Sequence, residues 1–106
     1  MATKYHRGRR FEYKVKQYYE SHGWFVVRSA GSKGIADLVA IKPRAEEIHL
    51  IQCKKHGYLS KTEREELFNV ADKYGAVPIL AATGNNGRGV VLYYVGLDSY
   101  IEYDIT

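Results

Sequence analysis

Two apolar runs joined by four residues constrain the fold of this chain more than any other feature. The runs are "IADLVAIK" at 35–42 and "EIHLIQCK" at 47–54, and "PRAE" between them has the composition of a turn. If those four residues form the turn, Lys42 pairs with Glu47, and Asp37 lies opposite Gln52. The sequence therefore predicts an antiparallel hairpin in a defined register.

The second run of this hairpin breaks its own apolar pattern. Side chains alternate between the two faces of a strand, so Gln52 and Lys54 continue the face that Ile48 and Leu50 establish, while Cys53 points to the other face. An amide and an ammonium beside core residues cost free energy unless partners satisfy them. Such a break in local pattern is typical of a functional site.

The remaining segments predict an α/β domain. A helix is expected from Arg9 to Ser21, and a second one begins after Ser60, where Glu63 completes a capping box, and ends at Gly75. Further strands are indicated by "WFVVRS", "VPILAAT" and "VVLYYV", followed by a short terminal piece, "YIEYDI". With 106 residues the chain forms one domain. The predicted order is roughly αβββαββ, with a mixed sheet of about five strands flanked by helices.

Charge and cysteine content narrow the class of partner and the compartment. The net charge is +4, and basic residues are concentrated in the first sixteen positions, where Glu12 is the one acid. This indicates a polyanionic partner such as nucleic acid, with a solvated basic tail as the alternative. Cys53 is the one cysteine, so a disulfide within the chain is excluded and a reducing compartment is favoured. No apolar run reaches transmembrane length, and the cytoplasm is the simplest location.

The hairpin register predicts a site for a hard divalent cation. Opposed side chains have Cβ atoms about 5 Å apart, so the Asp37 carboxylate and the Gln52 carbonyl can converge on one ion, with Lys54 on the same face. Few oxygen ligands on a rigid hairpin suit Mg²⁺. The backbone carbonyl of Cys53 could also reach the ion. The spacing of the four histidines does not fit a zinc site.

Each of these residues also has an ordinary structural explanation. Glu12 could be a solvated charge on a basic helix, Asp37 a loop cap, and Lys54 a side chain that extends to solvent at a strand end. Their combination with Gln52 favours a site, because several independent accidents would otherwise have to coincide.

Longer stretches of the chain resemble a known family. "VVRSAGSKGIADLVAIK" followed by "LIQCKK" is similar to the core of the archaeal-type Holliday junction resolvases, members of the PD-(D/E)xK nuclease superfamily. "RGRRFE" extends the resemblance toward the N-terminus, and "KYGAVPILAAT" extends it past the second helix. The resemblance implies a restriction-endonuclease-like core.

The resemblance also implies roles for particular side chains. Asp37 matches the metal-binding aspartate, Lys54 the lysine that orients or activates the attacking water, and Glu12 the helix glutamate of the metal site. Arg28 and Ser32 match residues that contact the scissile phosphate or support cleavage. The implied metal ligands are Glu12, Asp37, Gln52 and the backbone carbonyl of Cys53. The implied DNA-binding residues are Arg7, Arg9, Arg10, Arg28, Ser32 and Lys33.

The chain departs from the family pattern at two positions. Ala36 replaces the usual proline before the aspartate, which affects turn stiffness more than chemistry. Gln52 replaces the usual glutamate, which keeps an oxygen ligand but removes one negative charge from the metal site. This change predicts a nuclease that needs millimolar rather than micromolar Mg²⁺ or Mn²⁺.

The function implied is a Mg²⁺-dependent endodeoxyribonuclease that resolves four-way junctions by paired symmetrical nicks and leaves 5′ phosphates. Mn²⁺ is expected to substitute. Paired nicks imply a C₂ homodimer, for which Leu67, Val70 and Tyr74 are the apolar candidates, although the same residues could pack on the sheet. Neither a membrane partner nor a small-molecule substrate is expected. The protein is expected to associate with the nucleoid, whether its gene is cellular or viral. The alternatives are a nuclease for other branched or duplex DNA and a non-catalytic DNA-binding dimer.

Overall fold

A mixed β-sheet with helices on both faces organises the protein in this computed structural model. The structure describes residues 4–29 and 34–106, with side chains from residue 8 onward, and six strands lie within those ranges. The elements are α1 (Lys4–Glu20), β1 (Phe25–Arg28), β2 (Leu38–Ile41), β3 (Ile48–Cys53), α2 (Lys61–Tyr74), β4 (Val77–Thr83), β5 (Val90–Val95) and β6 (Tyr100–Tyr103). The strands lie in chain order, and β3 and β4 are parallel whereas the other neighbours are antiparallel.

The β2–β3 hairpin has the predicted register. Leu38 pairs with Ile51. The Lys42 N–H donates to the Glu47 carbonyl at 2.9 Å. The same register continued by one residue sets Asp37 opposite Gln52. The turn between the two strands includes a short 3₁₀ segment, Pro43–Ala45. Because the observed pairs match the predicted register, the hairpin prediction is confirmed.

The two faces of the sheet bury different helices, which explains the alternation in β3. Ile51 is fully buried in a core cluster with Phe11 and Val15 of α1. Leu50, on the opposite face, packs against a second cluster that includes Leu67 of α2 and Leu80 of β4. Both faces of β3 are therefore buried, and its carboxyl end carries Gln52 and Cys53.

The structure corrects some predicted boundaries and confirms others. In the described part of the chain the sheet has six strands rather than about five, because the terminal piece pairs with β5 as β6. Helix α1 begins at Lys4 rather than Arg9. The capping box of Ser60 and Glu63 is present, and Gly75 ends α2 in the left-handed conformation with φ 74°. Neither described helix has the length and hydropathy for a membrane crossing.

Candidate active site

Five of the predicted site residues lie at one end of the sheet. Asp37 directly precedes β2, and Gln52 lies near the end of the neighbouring strand β3. Lys54 is the first residue after β3. Because β2 and β3 are antiparallel, the start of one and the end of the other meet at the same edge. Helix α1 brings Glu12 to this edge, and β1 brings Arg28.

Asp37 is a half-buried carboxylate held by a backbone amide. Its Oδ2 atom accepts a hydrogen bond from the Cys53 N–H at 2.8 Å. Burial raises the pKa of Asp37, and the Cys53 amide and the positive charge of Lys54 oppose that rise. A cation beside this partly desolvated carboxylate would therefore stabilise its ionised form.

Glu12 pairs with Arg28 beside this aspartate. The Arg28 Nε atom donates to Glu12 Oε1 at 2.9 Å, and both side chains are largely buried. Burial raises the pKa of Glu12, the negative charge of Asp37 raises it further, and Arg28 lowers it. Two partly buried carboxylates that repel each other form a site that a divalent cation would stabilise.

Gln52 is buried, with 8% of its surface exposed, and its amide nitrogen has a defined partner. Its Nε2 atom donates to the backbone carbonyl of Ile35, two residues before Asp37. This bond uses the nitrogen and leaves the amide oxygen as the atom that could bind a metal ion. A glutamate at the same position could not donate this hydrogen bond as a carboxylate.

Lys54 has an acidic partner that the sequence analysis did not assign to the site. Its Nζ atom lies 2.9 Å from Glu63 Oε2, while its backbone N–H donates to the Ala81 carbonyl at 2.9 Å. The other carboxylate oxygen of Glu63, Oε1, accepts from the Ser60 N–H in the capping box. Glu63 therefore fixes Lys54 while it caps α2. The capping box was readable from sequence, but the approach of α2 to Lys54 depends on tertiary packing.

Tyr13 is a second residue that the sequence analysis missed. The Arg28 guanidinium lies 5.2 Å from the centre of its ring, and the Arg9 guanidinium lies 5.8 Å from it. The two arginines lower the pKa of Tyr13, first through the hydrogen bond of Arg9. Its four-residue spacing from Arg9 on α1 was the available signal.

Several predicted residues add less to this geometry. Ser32 and Lys33 lie outside the described residues, and Arg7 lies in α1 where side chains are not described. Arg10 is exposed, as is Arg9. Cys53 packs against the α1 core cluster, as expected for a side chain on the opposite face from Gln52 and Lys54.

The candidate donor atoms at the site are oxygens, which suit a hard divalent ion. Among the side chains described, those of residues 8–29 and 34–106, no group of three or more His, Cys, Asp and Glu could hold a metal ion. Glu12 and Asp37 supply two carboxylates, so the remaining ligands would be the Gln52 amide oxygen, the Cys53 carbonyl and waters. Mg²⁺ accepts such a set because it retains several waters.

This fold and site define a class of protein. A mixed sheet with an Asp and a Lys at one end of a hairpin, beside a glutamate from the first helix, matches the arrangement that the resemblance to PD-(D/E)xK nucleases implies, with Gln52 in place of the usual glutamate. A family model described as archaeal Holliday junction resolvase (hjc) matches residues 3–103. The chain therefore belongs to the archaeal Holliday junction resolvase family.

Two individual proteins are similar to this chain. The crossover junction endodeoxyribonuclease Hjc of Methanocaldococcus jannaschii is 37% identical over 89 residues, which cover 80% of this chain and 65% of that protein. The chain thus spans slightly less than two thirds of that relative. The solved structure of Archaeoglobus fulgidus Hjc, a Holliday junction resolvase from an archaeal hyperthermophile, has a TM-score of 0.69 and 22% identity. Its match covers 92% of this chain and 88% of the other, and it supports the fold.

Proposed function

We propose that the protein is a metal-dependent, structure-selective endodeoxyribonuclease that resolves four-way DNA junctions by paired symmetrical nicks. The observation that carries this proposal is the meeting of Glu12, Asp37, Gln52 and Lys54 at one sheet edge in a chain of the resolvase family. Nucleases of this family are generally dependent on a divalent metal. Mg²⁺ is the proposed ion, with Mn²⁺ as a substitute.

The chain's own groups have distinct tasks in phosphodiester hydrolysis. A bound divalent ion supplies Lewis-acid polarisation of the phosphate and makes a nearby water more acidic. Glu12, Asp37 and the Gln52 oxygen would hold that ion. Lys54, fixed by Glu63 at 2.9 Å, orients the attacking water along the scissile bond. Arg28 balances the negative charge that develops on the phosphate. The water oxygen bonds to phosphorus and the bond from phosphorus to the 3′ oxygen breaks, so that hydrolysis leaves a 5′ phosphate and a 3′ hydroxyl.

The substrate requires two copies of this site. Symmetrical nicks need two active centres related by a two-fold axis, so we propose a C₂ homodimer. Leu67 is fully buried in the core of its own chain, so it belongs to the packing of α2 on the sheet and not to a dimer contact. Tyr74 is 71% exposed and remains available. Arg9 and Arg10 would bind phosphates of junction DNA in the cytoplasm, at the nucleoid.

Cleavage of matched DNA substrates tests this function. A labelled four-way junction, a fork and a duplex are incubated with and without Mg²⁺. We expect paired nicks in the junction, little cutting of the duplex and none in excess chelator. Asp37→Asn and Lys54→Ala should abolish cutting while largely preserving affinity. Equal cutting of duplex would overturn resolvase activity, and cutting in chelator would overturn metal dependence.

The missing charge at Gln52 favours one second candidate, a non-catalytic dimer that binds branched DNA. In this case the same gels would show tight junction binding without product at any Mg²⁺ or Mn²⁺ concentration. Product that appears at millimolar ion would exclude it.

A further inference from the structure

A basic cavity lies at the same end of the sheet as the candidate active site, and of its described lining residues only Arg10 has a role in the function proposed above. Its volume is about 340 Å³. Among its described lining residues, three are cationic, from α1 and from the segment after β3, and none is acidic. The lining residues are Arg10, Phe11, Lys14, Lys55, Thr83 and Gly87.

The cavity lies at the same end of the sheet as the candidate active site. Lys55 directly follows Lys54, and Phe11 directly precedes Glu12. Thr83 is the last residue of β4, and because β4 is parallel to β3, the two strands end at the same edge. A strand of DNA that leaves the catalytic residues toward β4 would therefore pass over this cavity.

Thr83 contributes a buried hydroxyl that lacks a partner. Among the described residues, its Oγ1 atom is buried without a hydrogen bond. The Thr83 backbone N–H approaches the Lys55 carbonyl at 3.5 Å, which links two parts of the cavity wall. A buried hydroxyl that makes no hydrogen bond costs free energy. Rotation of the Thr83 side chain toward the cavity would expose this hydroxyl and allow it to donate to a bound phosphate.

Gly87, in the turn between β4 and β5, lines the cavity with its backbone. The Gly87 N–H donates to the Gly84 carbonyl at 2.9 Å, and a Cβ on Gly84 would lie 2.5 Å from the Arg88 carbonyl oxygen. Glycine is therefore required at position 84 for the tight turn. Gly87 itself has φ 68° and carries no side chain toward a ligand.

We propose that this cavity binds a non-scissile phosphate of the DNA strand that is cut, which sets the direction of that strand across the sheet. The proposal rests on the proposed nuclease function. Three cations and a hydroxyl donor, without an acid in the lining, match a phosphodiester anion. The second anchor would hold the substrate in register with the catalytic residues without contacting the bond that breaks.

Charge-removing and isosteric variants test the cavity. Lys14→Gln, Lys55→Gln and Thr83→Val are compared with Lys73→Gln, which removes the same charge from the last turn of α2. Binding to a four-way junction is measured in chelator across a salt series. Each cavity lysine variant should weaken binding about fivefold and lower the salt slope by about one unit. Lys73→Gln should do neither.

Thr83→Val separates ligand binding from folding. Valine removes the hydroxyl and keeps the shape, so junction binding should weaken about tenfold with the salt slope unchanged, because no charge is lost. The melting temperature should stay the same or rise, because an unsatisfied buried hydroxyl is removed. A structural role for the hydroxyl would instead lower the melting temperature and leave binding unchanged, and that result would overturn the proposal.

A chemical scan of the substrate identifies the phosphate. Neutral methylphosphonates replace single phosphates on either side of the cleavage position. One position should weaken wild-type binding but cause no further loss in Lys55→Gln. Equal losses in both proteins at every position would overturn the proposal. Inorganic phosphate in the millimolar range should compete with wild-type binding no better than chloride at equal ionic strength, and stronger competition would indicate a free-phosphate site instead.

The outcomes distinguish this proposal from the proposed function. If wild-type protein neither binds nor cuts the junction, the proposed nuclease function and the cavity proposal are both wrong. If wild-type protein binds and cuts but all three cavity variants match Lys73→Gln, the function stands and the cavity proposal alone is wrong.

Discussion

Gln52 shows how one side chain can serve both structure and metal chemistry. Its nitrogen donates to the Ile35 carbonyl, and its oxygen is the atom proposed to bind the metal ion where the resemblance implies a carboxylate. The replacement removes negative charge beside Asp37, whose pKa burial already raises. We therefore expect glutamine to reduce repulsion in the metal-free protein and to lower its affinity for the ion.

Gln52→Glu should reverse that balance. We expect the Mg²⁺ concentration for half-maximal cleavage to fall about tenfold, because the site gains a formal charge. Stability without metal should fall by about 1–3 kcal/mol, because the Ile35 carbonyl loses its donor. Cleavage titrations and denaturant unfolding measure the two effects. Gln52→Ala is the control, since it should lose both stability and metal affinity, and an unchanged Mg²⁺ requirement in Gln52→Glu would contradict the role of charge.

Glu63→Gln tests whether Glu63 positions Lys54. Glutamine can still accept from the Ser60 N–H, so the capping box and the melting temperature should be largely kept. The ion pair with Lys54 is lost, and the cleavage rate should fall about tenfold, the equivalent of about 1.4 kcal/mol. Single-turnover rates should change while junction affinity does not. A fall in melting temperature that accounts for the lost rate would show a purely structural role.

At the residue scale, the contacts that depend on local geometry were predictable from the sequence. The opposition of Asp37 and Gln52 followed from counting across a four-residue turn. The contacts of Lys54 with Glu63 and of Tyr13 with Arg28 join different elements, so they required the packing of α1 and α2. Glu12 was proposed through resemblance, because no local pattern indicates that α1 approaches the hairpin.

At the scale of elements, the N-terminal cap of α2 supports both stability and the site. The Ser60 side chain accepts from the Glu63 N–H at 3.1 Å. Ser60→Ala should destabilise the protein by about 1 kcal/mol and lower the melting temperature by about 4–8 °C. Cleavage well below that temperature should be nearly unchanged, because Glu63 keeps its other contacts. Loss of cleavage without a change in melting temperature would contradict this assignment.

The predicted elements succeeded where burial imposes a pattern and failed where it does not. Strands β4 and β5 were predicted with the bounds that the structure shows, because each is an apolar run limited by turn residues. Strand β6 was missed as a strand because it lies at the sheet edge, where Ile101 is 61% exposed. Its pairing depends on β5 rather than on its own periodicity.

At the scale of the whole molecule, a buried polar network joins α1, β3 and β6. The fully buried His49 ring contacts the Tyr19 hydroxyl through Nδ1 at 2.8 Å and Glu47 Oε1 through Nε2 at 2.8 Å. The Tyr103 hydroxyl donates to the same Glu47 oxygen. A neutral imidazole satisfies this geometry when Nε2–H donates to Glu47 and Nδ1 accepts from Tyr19. The network therefore ties the first and last elements of the fold to the central strand.

This network makes stability depend on pH. Burial lowers the pKa of His49 below 6.5, although Glu47 opposes that shift. The unfolded chain then binds a proton at a higher pH than the folded one, so the stabilisation is complete above about pH 6.5 and decreases as pH falls toward the folded pKa. The pKa of Glu47 is lowered by its bonds from Tyr103 and His49, which extends the loss below its ordinary value of 4.5.

His49→Gln should flatten this pH dependence. Glutamine does not titrate, so the variant should be less stable than wild type at pH 7, through lost packing, but should lose less stability between pH 7 and pH 5. One titrating group contributes at most about 1.4 kcal/mol per pH unit, which denaturant unfolding at each pH resolves. Tyr19→Phe is the matched control, because it removes a hydrogen bond of the network but keeps the imidazole, so its pH dependence should remain. Parallel losses in wild type and His49→Gln would locate the acid sensitivity elsewhere, in groups other than this histidine.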